Sequence, residues 1–468
     1  MNMQRLITWG ISIGLAAGLI VATVGEGARA AETVPVGTAK IDITPDSPVR
    51  LVGYAGRKGE FEGVAQRIWA KALAIGSDEG DGPAVLVTVD NCGVPDNVVE
   101  EVASRLKKKT GLKRERLAIC ATHTHTAPWL DGFLPWHYAG KVPAEHRQHI
   151  RQYTEQLTDR IEQVALDALA ARKPGQLAWA QGSVAFAANR RVIKNGKWAG
   201  FGVNPKGPVD HSLPLLRVTD TQGKLVALLV NYACHGTTLT GRHNQIHGDW
   251  QGCAQQYIEA DHPGAIALVS TGCGADANPE PRGQMEMTEK HGRAVADEVN
   301  RLLDGKLTPV SPKLTARLVR IELPFGELPT LEEVRRRVAN SKPGTRGGDH
   351  ARDMLARLER GESLPAALNY PVEVWAFGDD LAMVFLAGEV VADYSLRLKR
   401  ELDGSRIWVT AYANDEPCYI VTRRLLEEGG YEVDSSMISY GHPTRFSPAV
   451  EDKLVNTVKK LIPQSFTK

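Results

Sequence analysis

Two histidines, His123 and His125, are separated by one residue and directly follow the apolar run 119–121. This run predicts a buried strand, and residues two apart on an extended chain project to the same side. Both imidazoles are therefore expected to face one pocket, where such a pair can hold a divalent metal ion. The alternative, for the pair taken alone, is two histidines whose ring nitrogens are satisfied by ordinary hydrogen bonds.

Apolar runs followed at once by polar residues of the ligand type recur at least five more times. The residues are Asp90 after run 85–89, Asn231 and then His235 after 225–230, Asp276 and Asn278 after 265–270, Glu389 after 381–387, and Tyr412, Asn414 and Asp415 after 407–410, with Tyr419 a few residues further on. In α/β proteins the carboxyl ends of strands gather at one edge of the sheet, where ligands bind. These strand ends therefore predict one shared site.

The residue types at these strand ends are those that bind and use zinc. A catalytic zinc site takes about four ligands from His, Asp, Glu, Cys and water, and keeps one position for water. The candidate ligands are His123, His125, His235, His247, Asp90, Asp249, Glu389 and Tyr419. Zinc lowers the pKa of a bound water molecule to about 7, and the resulting hydroxide can attack a carbonyl carbon. A second histidine, a tyrosine or an arginine such as Arg190 is expected to move the proton and stabilise the oxyanion.

Asp90, His247 and Asp249 leave a second interpretation open. They can act as additional ligands in a two-metal phosphoesterase or esterase. Asp249 also stands immediately before a predicted helix, where its carboxylate can cap the first turn instead.

Several motifs of other enzyme classes are absent from the sequence. After residue 30 there is no Gly-x-Ser-x-Gly elbow, and the match at 10–14 falls in an apolar N-terminal stretch; the chain also has no Gly-x-x-x-x-Gly-Lys-Ser/Thr loop and no Gly-x-Gly-x-x-Gly after a strand. These absences argue against a serine nucleophile and a nucleotide cofactor. The 468-residue chain has a net charge of +1 and no basic stripe with interleaved aromatics, so a nucleic-acid partner is not expected.

Strand and helix patterns alternate through most of the chain, which predicts an α/β fold. We expect one large domain with a mixed sheet, helices packed on the sheets, and the site at the carboxyl ends of the strands. Predicted helices cover residues 96–110, 145–172, 250–260, 288–303, 332–338, 389–402 and 450–461, each with apolar residues three or four apart. Segments 189–208 and 341–350 are predicted to be loops that help to build a substrate pocket.

The first thirty residues have the pattern of a secretory signal peptide. Arg5 precedes a mostly apolar stretch, and Ala28-Arg29-Ala30 matches a cleavage site. We expect removal of residues 1–30, with 31–468 forming a secreted or periplasmic hydrolase domain; the alternative is an uncleaved membrane anchor. After residue 30 no apolar run approaches the roughly 20 residues that a further span needs. The six cysteines are expected to pack as small buried side chains, with one or two disulfides as the alternative.

Taken in order, the motifs resemble the catalytic domain of the neutral/alkaline non-lysosomal ceramidases. The matching segments are Thr122-His123-Thr124-His125-Thr126-Ala127-Pro128, Asn231-Tyr232-Ala233-Cys234-His235-Gly236-Thr237, Gly388-Glu389 and Tyr419-Ile420-Val421-Thr422, together with Gly53-Tyr54-Ala55, Asp90 and Asn189-Arg190. The resemblance implies hydrolysis of the N-acyl bond of ceramide or of another lipid or small amide. It also implies one zinc ion per chain with the ligands His123, His235, Glu389 and Tyr419. His125 and Arg190 are implied to lie beside the metal as proton-transfer and oxyanion or substrate groups.

Two features depart from the family pattern. The ceramidases read Gly-Asp-Val-Ser-Pro-Asn in the turn after the strand at 265–270, with a catalytically important serine, whereas Ala277 or Asn278 stands there in this chain. We expect the Asn278 amide to replace the hydroxyl as a hydrogen-bond donor. The sequence extends only a short way past Tyr440-Gly441-His442, so we do not expect the immunoglobulin-like C-terminal domain of the lipid-active enzymes. A third interpretation is a secreted binding protein that keeps the fold without activity, and the intact ligand set argues against it.

Overall fold

The computed structural model describes residues 32–138 and 142–468, and its regular elements follow the periodicities of the sequence. The strands are β1 (Val34–Asp42), β2 (Trp69–Ile75), β3 (Ala84–Val89), β4 (Leu117–Ala121), β5 (Lys173–Ser183), β6 (Ala187–Asn189), β7 (Arg191–Lys194), β8 (Lys197–Phe201), β9 (Ser212–Asp220), β10 (Leu225–Tyr232), β11 (Ile266–Thr271), β12 (Ala277–Pro279), β13 (Thr308–Pro309), β14 (Leu314–Pro324), β15 (Ala367–Phe377), β16 (Leu381–Leu386), β17 (Glu389–Val390), β18 (Ile407–Thr410) and β19 (Tyr419–Ile420). The helices are α1 (Asp96–Thr110), α2 (Ala144–Ala170), α3 (Asp249–Asp261), α4 (Met285–Leu303), α5 (Leu331–Ala339), α6 (Arg346–Glu359), α7 (Ala392–Glu401), α8 (Arg423–Glu428), α9 (Ser436–Tyr440) and α10 (Val450–Leu461).

Most of the long strands belong to two mixed sheets. The larger one has the order β11-β10-β9-β5-β1-β2-β3-β4, with β13 paired to β5, and its β10/β11 and β3/β4 pairs are parallel. The second has the order β14-β15-β16-β18, with β16 and β18 parallel. Strands β3, β4, β16 and β18 are buried along their whole length, which is why they are continuous apolar runs without alternation. The predicted α/β class with a mixed sheet is confirmed.

Helix α1 illustrates how the sequence sets an element. Its buried residues Val98, Val99, Val102 and Leu106 recur at helical spacing on the face that packs against α2 and the sheet. Burial of each such side chain contributes about 1.5 to 3 kcal/mol. The helix ends at Gly111, whose left-handed φ of 77° lets its N–H bond to the Lys107 carbonyl. Both ends of this helix agree with the prediction.

The segment that follows β18 joins the two edge strands of the larger sheet. Ala121 N at the end of β4 donates to Tyr412 O at 3.0 Å, and Ala411 N donates to Thr271 O at the end of β11 at 2.9 Å. Thr271 Oγ1 also donates to Thr122 O at 2.8 Å. Since β4 and β11 are opposite ends of the strand order, the sheet must curl to bring them together. The curl gathers the residues that follow β4, β10, β11, β16 and β18.

Two predicted boundaries are wrong. Glu389 does not begin a helix: it lies in β17, where its N–H donates to Cys418 O at 3.0 Å, and α7 starts only at Ala392. Segment 341–350 is not all loop, because α6 begins at Arg346. Thr345 caps that helix by accepting the Gly348 N–H at 3.2 Å, which offsets the low helix propensity of the glycines there.

Other predictions concern the loops, the cysteines and the N-terminus. Segment 189–208 contains the hairpin of β7 and β8, turned at Asn195 and Gly196. The six cysteines are buried and unpaired, so the prediction that they pack as small side chains is confirmed. The predicted signal peptide, residues 1–30, lies outside the described residues. Among the residues that are described, no helix has both the length and the apolar character needed to cross a bilayer.

Candidate metal centre and active site

His123, His235 and Glu389 place one ligand atom each at a common point. His123 follows β4, His235 follows β10 and Glu389 lies on β17, so three separate strands supply them. Glu389 Oε2 lies 3.0 Å from His235 Nε2 and 3.4 Å from His123 Nε2. All three ligand atoms lie within 4.8 Å of one another, and all three side chains are buried. The structure therefore brings together three of the four ligands predicted from the sequence.

Hydrogen bonds to the main chain fix the orientation of both imidazoles. His123 Nδ1 lies 2.5 Å from Cys92 O, and His235 Nδ1 lies 2.8 Å from Gly274 O. A carbonyl oxygen only accepts hydrogen bonds, so these contacts favour the tautomer with the proton on Nδ1, which leaves each Nε2 as the nitrogen able to bind a metal ion. This is the arrangement by which proteins orient histidine ligands, and two imidazoles with a carboxylate fit zinc.

The charge states of Glu389 and His235 suit metal binding. Burial opposes ionisation of Glu389, but the imidazoles of His123 and His235 outweigh it and hold the pKa of the carboxyl well below its ordinary value. Burial, followed by the charge of Arg190, lowers the pKa of His235 to about 3. At neutral pH the site thus presents a carboxylate and a neutral imidazole. The second oxygen of Glu389, Oε1, accepts a hydrogen bond of 2.6 Å from Tyr440 OH.

The backbone at His123 differs from the extended segment expected from the sequence. Its φ is 62°, in the left-handed region that non-glycine residues rarely adopt outside functional sites. The ring stacks on Tyr412 with a centroid separation of 4.1 Å. Gly236 allows this turn to approach, since a Cβ there would lie 2.5 Å from His123 O. The two imidazoles of the His-x-His pair converge through a turn, and not through strand alternation.

His125 lies between the cluster of His123, His235 and Glu389 and a large cavity whose wall it helps to form. Its Nε2 is 3.1 Å from His123 Nε2, its ring meets Tyr54 edge-on at 5.1 Å, and its Nδ1 has no hydrogen-bond partner. Burial, followed by the neighbouring imidazoles, lowers its pKa well below the ordinary value, so the ring is neutral. Gly53 packs on the ring with a φ of 96°, and a Cβ there would lie 2.5 Å from the ring atoms.

Arg190 connects Tyr419 to the ligand cluster. Its Nη2 donates to Tyr419 OH at 3.0 Å, and its Nη1 lies 3.0 Å from His235 Nε2. Burial is the main cause that raises the pKa of Tyr419, with the charge of Glu389 second, so the phenol stays protonated. Tyr419 stands in register with Glu389 in the β17/β19 ladder. The guanidinium group of Arg190 therefore lies between His235 and Tyr419, the fourth predicted ligand.

Glu432 and Tyr440 belong to the site but were not predicted from the sequence. Glu432 is fully buried, accepts from Arg190 Nε at 2.9 Å and pairs with Arg191 on its other oxygen. Burial opposes the charge of Arg190, but Tyr419 and Glu432 outweigh it and raise the pKa of this guanidinium. Both missed residues lie in short helical turns near the C-terminus, 431–435 and 436–440, where no apolar run precedes a polar residue.

Asn278 lies on the cavity wall beside Arg190. Strand β12 pairs with β6, which places Asn278 next to the residues that lead into Arg190. Its Oδ1 accepts from Thr237 Oγ1 at 3.2 Å and from Arg190 Nη1 at 3.5 Å. With the oxygen engaged by two donors, the Nδ2 hydrogens are the part of this amide left for a ligand.

Four other polar residues singled out in the sequence hold the structure together and do not join the cluster. Asp90 accepts from Trp69 N and Gln255 Nε2, and Asp276 accepts from Asn189 Nδ2 and Ala392 N. Asp249 accepts from Thr238 N, Leu239 N and Trp250 N, and His247 Nδ1 accepts from Asp249 N. Within residues 32–138 and 142–468, the clusters able to hold an ion contain none of the four. The geometry gives no support to the two-metal interpretation.

A cavity of about 830 Å³ opens onto this site. Four of the predicted site residues line it: His125, Arg190, Asn278 and Tyr419. The rest of the wall includes the aromatic side chains of Tyr54, Phe201 and Tyr431. The volume lies in the range of small-molecule and cofactor pockets.

Comparison with known proteins identifies relatives for much of the chain. Residues 35–291 match the family model described as neutral/alkaline non-lysosomal ceramidase, N-terminal. A neutral ceramidase of Arabidopsis thaliana is 27% identical over 234 residues, 48% of this chain and 29% of the relative. A neutral ceramidase of Pseudomonas aeruginosa is 27% identical over 236 residues, 48% of this chain and 33% of the relative. The match thus spans about a third or less of each of these relatives.

The fold has a counterpart among solved structures. The crystal structure of neutral ceramidase from Pseudomonas aeruginosa superposes with a TM-score of 0.70 at 18% sequence identity. The superposition covers 93% of this chain and 76% of that one. At this level of identity the likeness establishes the fold.

Proposed function

This chain belongs to the neutral/alkaline non-lysosomal ceramidase family, and we propose that it is a zinc-dependent hydrolase of N-acyl amides. The observation that carries the proposal is the cluster of His123 Nε2, His235 Nε2 and Glu389 Oε2, with both imidazoles locked by main-chain carbonyls. Tyr419 is proposed as the fourth ligand, because the ladder to Glu389 holds it on the same side of the site. One zinc ion per chain is the expected content.

The proposed reaction adds water across the amide C–N bond and yields a carboxylic acid and an amine. A bound zinc ion supplies Lewis-acid polarisation and a more acidic water molecule at the site. His125 is suited to move the proton, since its ring is neutral and its Nε2 faces the ligand cluster. The proton that leaves the water is needed by the departing nitrogen, and one imidazole between them can serve both steps.

Arg190 and Asn278 are proposed to stabilise the negative charge that develops on the acyl oxygen. The guanidinium is held by Glu432 and Tyr419, so it needs little reorganisation during the reaction. Asn278 offers its Nδ2 hydrogens from the neighbouring wall. It is proposed to take the part of the serine that the family pattern has in this turn.

A lipid or small N-acyl amide is proposed as the substrate. The family and the named relatives point to ceramide-like amides, and the cavity of about 830 Å³ with aromatic walls suits an apolar acyl group. Export of the chain after removal of residues 1–30 is part of the same proposal. N-terminal sequencing of protein secreted by an expressing cell tests that part, and a retained Met1 contradicts it.

Metal analysis combined with a substrate panel tests the hydrolase proposal. Purified protein is analysed for metals and then assayed on fluorogenic N-acyl amides and esters, before and after treatment with a chelator. We expect about one equivalent of zinc, amide hydrolysis that is lost on chelation, and recovery when zinc is restored. Turnover that is indifferent to the chelator, or absent from the whole panel, contradicts the proposal and favours a binding protein. Two equivalents of metal favour the phosphoesterase.

A further inference from the structure

The cavity beside the candidate metal centre is lined by four arginines and by no aspartate or glutamate among the described residues. The arginines are Arg190, Arg242, Arg282 and Arg346. The charge of Arg190 is offset by Glu432, which lies 2.9 Å away. In the part of the chain that the structure describes, the other three make no ion pair. The cavity therefore carries positive charge that the protein itself does not neutralise.

Neutral groups hold two of these guanidinium groups at the wall. Arg282 Nη2 donates to Tyr54 OH at 3.1 Å, and Arg346 Nη1 donates to Ser439 Oγ at 2.9 Å. Burial raises the pKa of Tyr54 to about 12, so this partner is a neutral phenol. Each bond occupies one of the five donors of an arginine, which leaves the rest of the planar fork available to a ligand.

Both arginines line the same cavity as His125. Tyr54, which holds Arg282, meets the ring of His125 at a centroid distance of 5.1 Å. Arg346 shares the cavity wall with His137, whose buried Nε2 has no hydrogen-bond partner. An unpartnered buried nitrogen on the wall is a second sign that a polar ligand group belongs there.

Three buried acidic residues of the candidate site are already engaged. Glu389 is held by His123, His235 and Tyr440, and Glu432 by Arg190 and Arg191. Asp249 receives three main-chain N–H groups. None of these carboxylates is free to pair with Arg282 or Arg346. A cleft lined by one sign of charge concentrates ligands of the other sign.

We propose that Arg282 and Arg346 form a subsite for an anionic group, so that the preferred substrate is an N-acyl amide whose amine part carries a carboxylate or a phosphate monoester. This proposal rests on the hydrolase function proposed above. Guanidinium groups bind both anions through paired hydrogen bonds, which is the shared chemistry of the two sources. The anion is assigned to the amine part because the acyl part of such an amide is apolar.

The test compares matched substrates on the zinc-loaded protein. N-Lauroylglycine is paired with N-lauroylglycinamide, and N-lauroylethanolamine phosphate with N-lauroylethanolamine. Because hydrogen bonds to charged groups are strong, we expect kcat/KM to favour the charged member of at least one pair by roughly tenfold to a hundredfold. The pair with the larger preference identifies the anion. Equal kcat/KM within both pairs overturns the proposal.

Variants assign the preference to the subsite. Arg282→Gln and Arg346→Gln should each lower the ratio of charged to neutral kcat/KM by about tenfold, because a charge-assisted hydrogen bond is lost. Arg151→Gln is the matched control, since Arg151 is exposed on α2 and does not line the cavity. Its ratio should equal that of the unmodified protein. Equal losses on charged and neutral substrates in both pocket variants contradict an anion subsite.

A binding measurement separates this proposal from the hydrolase function. Calorimetry with N-dodecylsulfonylglycine and its neutral carboxamide, neither of which hydrolyses, reports the anion preference without turnover. Tighter binding of the acid, lost in Arg282→Gln, supports the subsite even when no amide is hydrolysed. Hydrolysis of neutral amides together with equal binding of acid and carboxamide overturns the subsite and leaves the hydrolase intact.

Discussion

Glu389 and Tyr419 stand directly opposite each other in the two-residue parallel ladder of β17 and β19. Their side chains therefore project from the same face of the ladder. The Glu389 carboxylate points toward His235, and the Tyr419 phenol points toward Arg190. Two residues that are 30 positions apart in the sequence reach the site as one unit. A change that shifts either short strand is expected to displace both.

His235→Ala and His125→Ala are expected to separate metal binding from proton transfer. In the proposed site His235 supplies a ligand atom, so its removal should abolish both bound zinc and activity. His125 lies beside the ligands, so its removal should retain most of the zinc and lower kcat by roughly 10² to 10⁴. Metal analysis and steady-state kinetics on the two purified variants check this. An equal loss of zinc in both would place His125 among the ligands.

Gly53→Ala should disturb His125 without touching a ligand. The new Cβ would lie 2.5 Å from the ring, so the imidazole must shift and kcat should fall while the zinc content is maintained. Gly80→Ala is the control, since Gly80 also has a left-handed φ but a Cβ there meets nothing within 4 Å. Both variants should lose about 1 to 2 kcal/mol of stability from backbone strain. Similar kcat values in the two variants would count against a positioning role for Gly53.

Glu432→Gln should weaken both the fold and the reaction. It removes the carboxylate that pairs with Arg190, and loss of one partner of a buried ion pair costs about 3 to 5 kcal/mol. Glu428→Gln is the matched control, because Glu428 pairs with Arg191 and Arg424 but does not contact Arg190. Denaturant unfolding and kcat/KM are measured for both. We expect the larger loss in each quantity for Glu432→Gln, and a larger loss for Glu428→Gln would refute the assignment.

Asn278→Ala tests the residue that stands in the serine turn. If its amide donates to the acyl oxygen in the transition state, kcat should fall by roughly 10² to 10³, the effect of removing one oxyanion donor. Zinc content and folding should be maintained, because Asn278 is not a ligand. Asn278→Ser should recover part of the rate by restoring a hydroxyl donor. An unchanged kcat in Asn278→Ala eliminates this role.

Glu373 is expected to make stability depend on pH. Burial, partly countered by Arg114, raises the pKa of its carboxyl from 4.5 to about 8. Between these values the folded chain holds a proton that the unfolded chain has lost, so this residue makes stability fall as the pH rises from about 4.5 to 8. Glu373→Gln should remove that contribution, and the exposed Glu332→Gln should not. Urea unfolding of all three proteins from pH 5 to 9 measures the slopes, and a slope in Glu373→Gln equal to that of the unmodified protein is the contrary result.

Local sequence patterns determined which elements form and which of their ends carry chemistry. The apolar runs predict β3, β4, β10, β11, β16 and β18 because a strand buried on both faces requires continuous apolar residues. The helical spacing predicts α1 and α10 to the residue. His123, His235 and Glu389 were identifiable because each lies a few residues after the end of such a run.

Only the tertiary structure decided how these ends meet. The left-handed turn at His123, the curl that joins β4 to β11, and the placement of Glu389 in a ladder depend on hydrogen bonds between distant segments, which no local pattern encodes. Glu432, Tyr440, Arg282 and Arg346 were missed for the same reason, since each is positioned by residues far away in the sequence. Residue types and their spacing indicate what chemistry a chain can perform, whereas long-range packing determines which of those residues share a site.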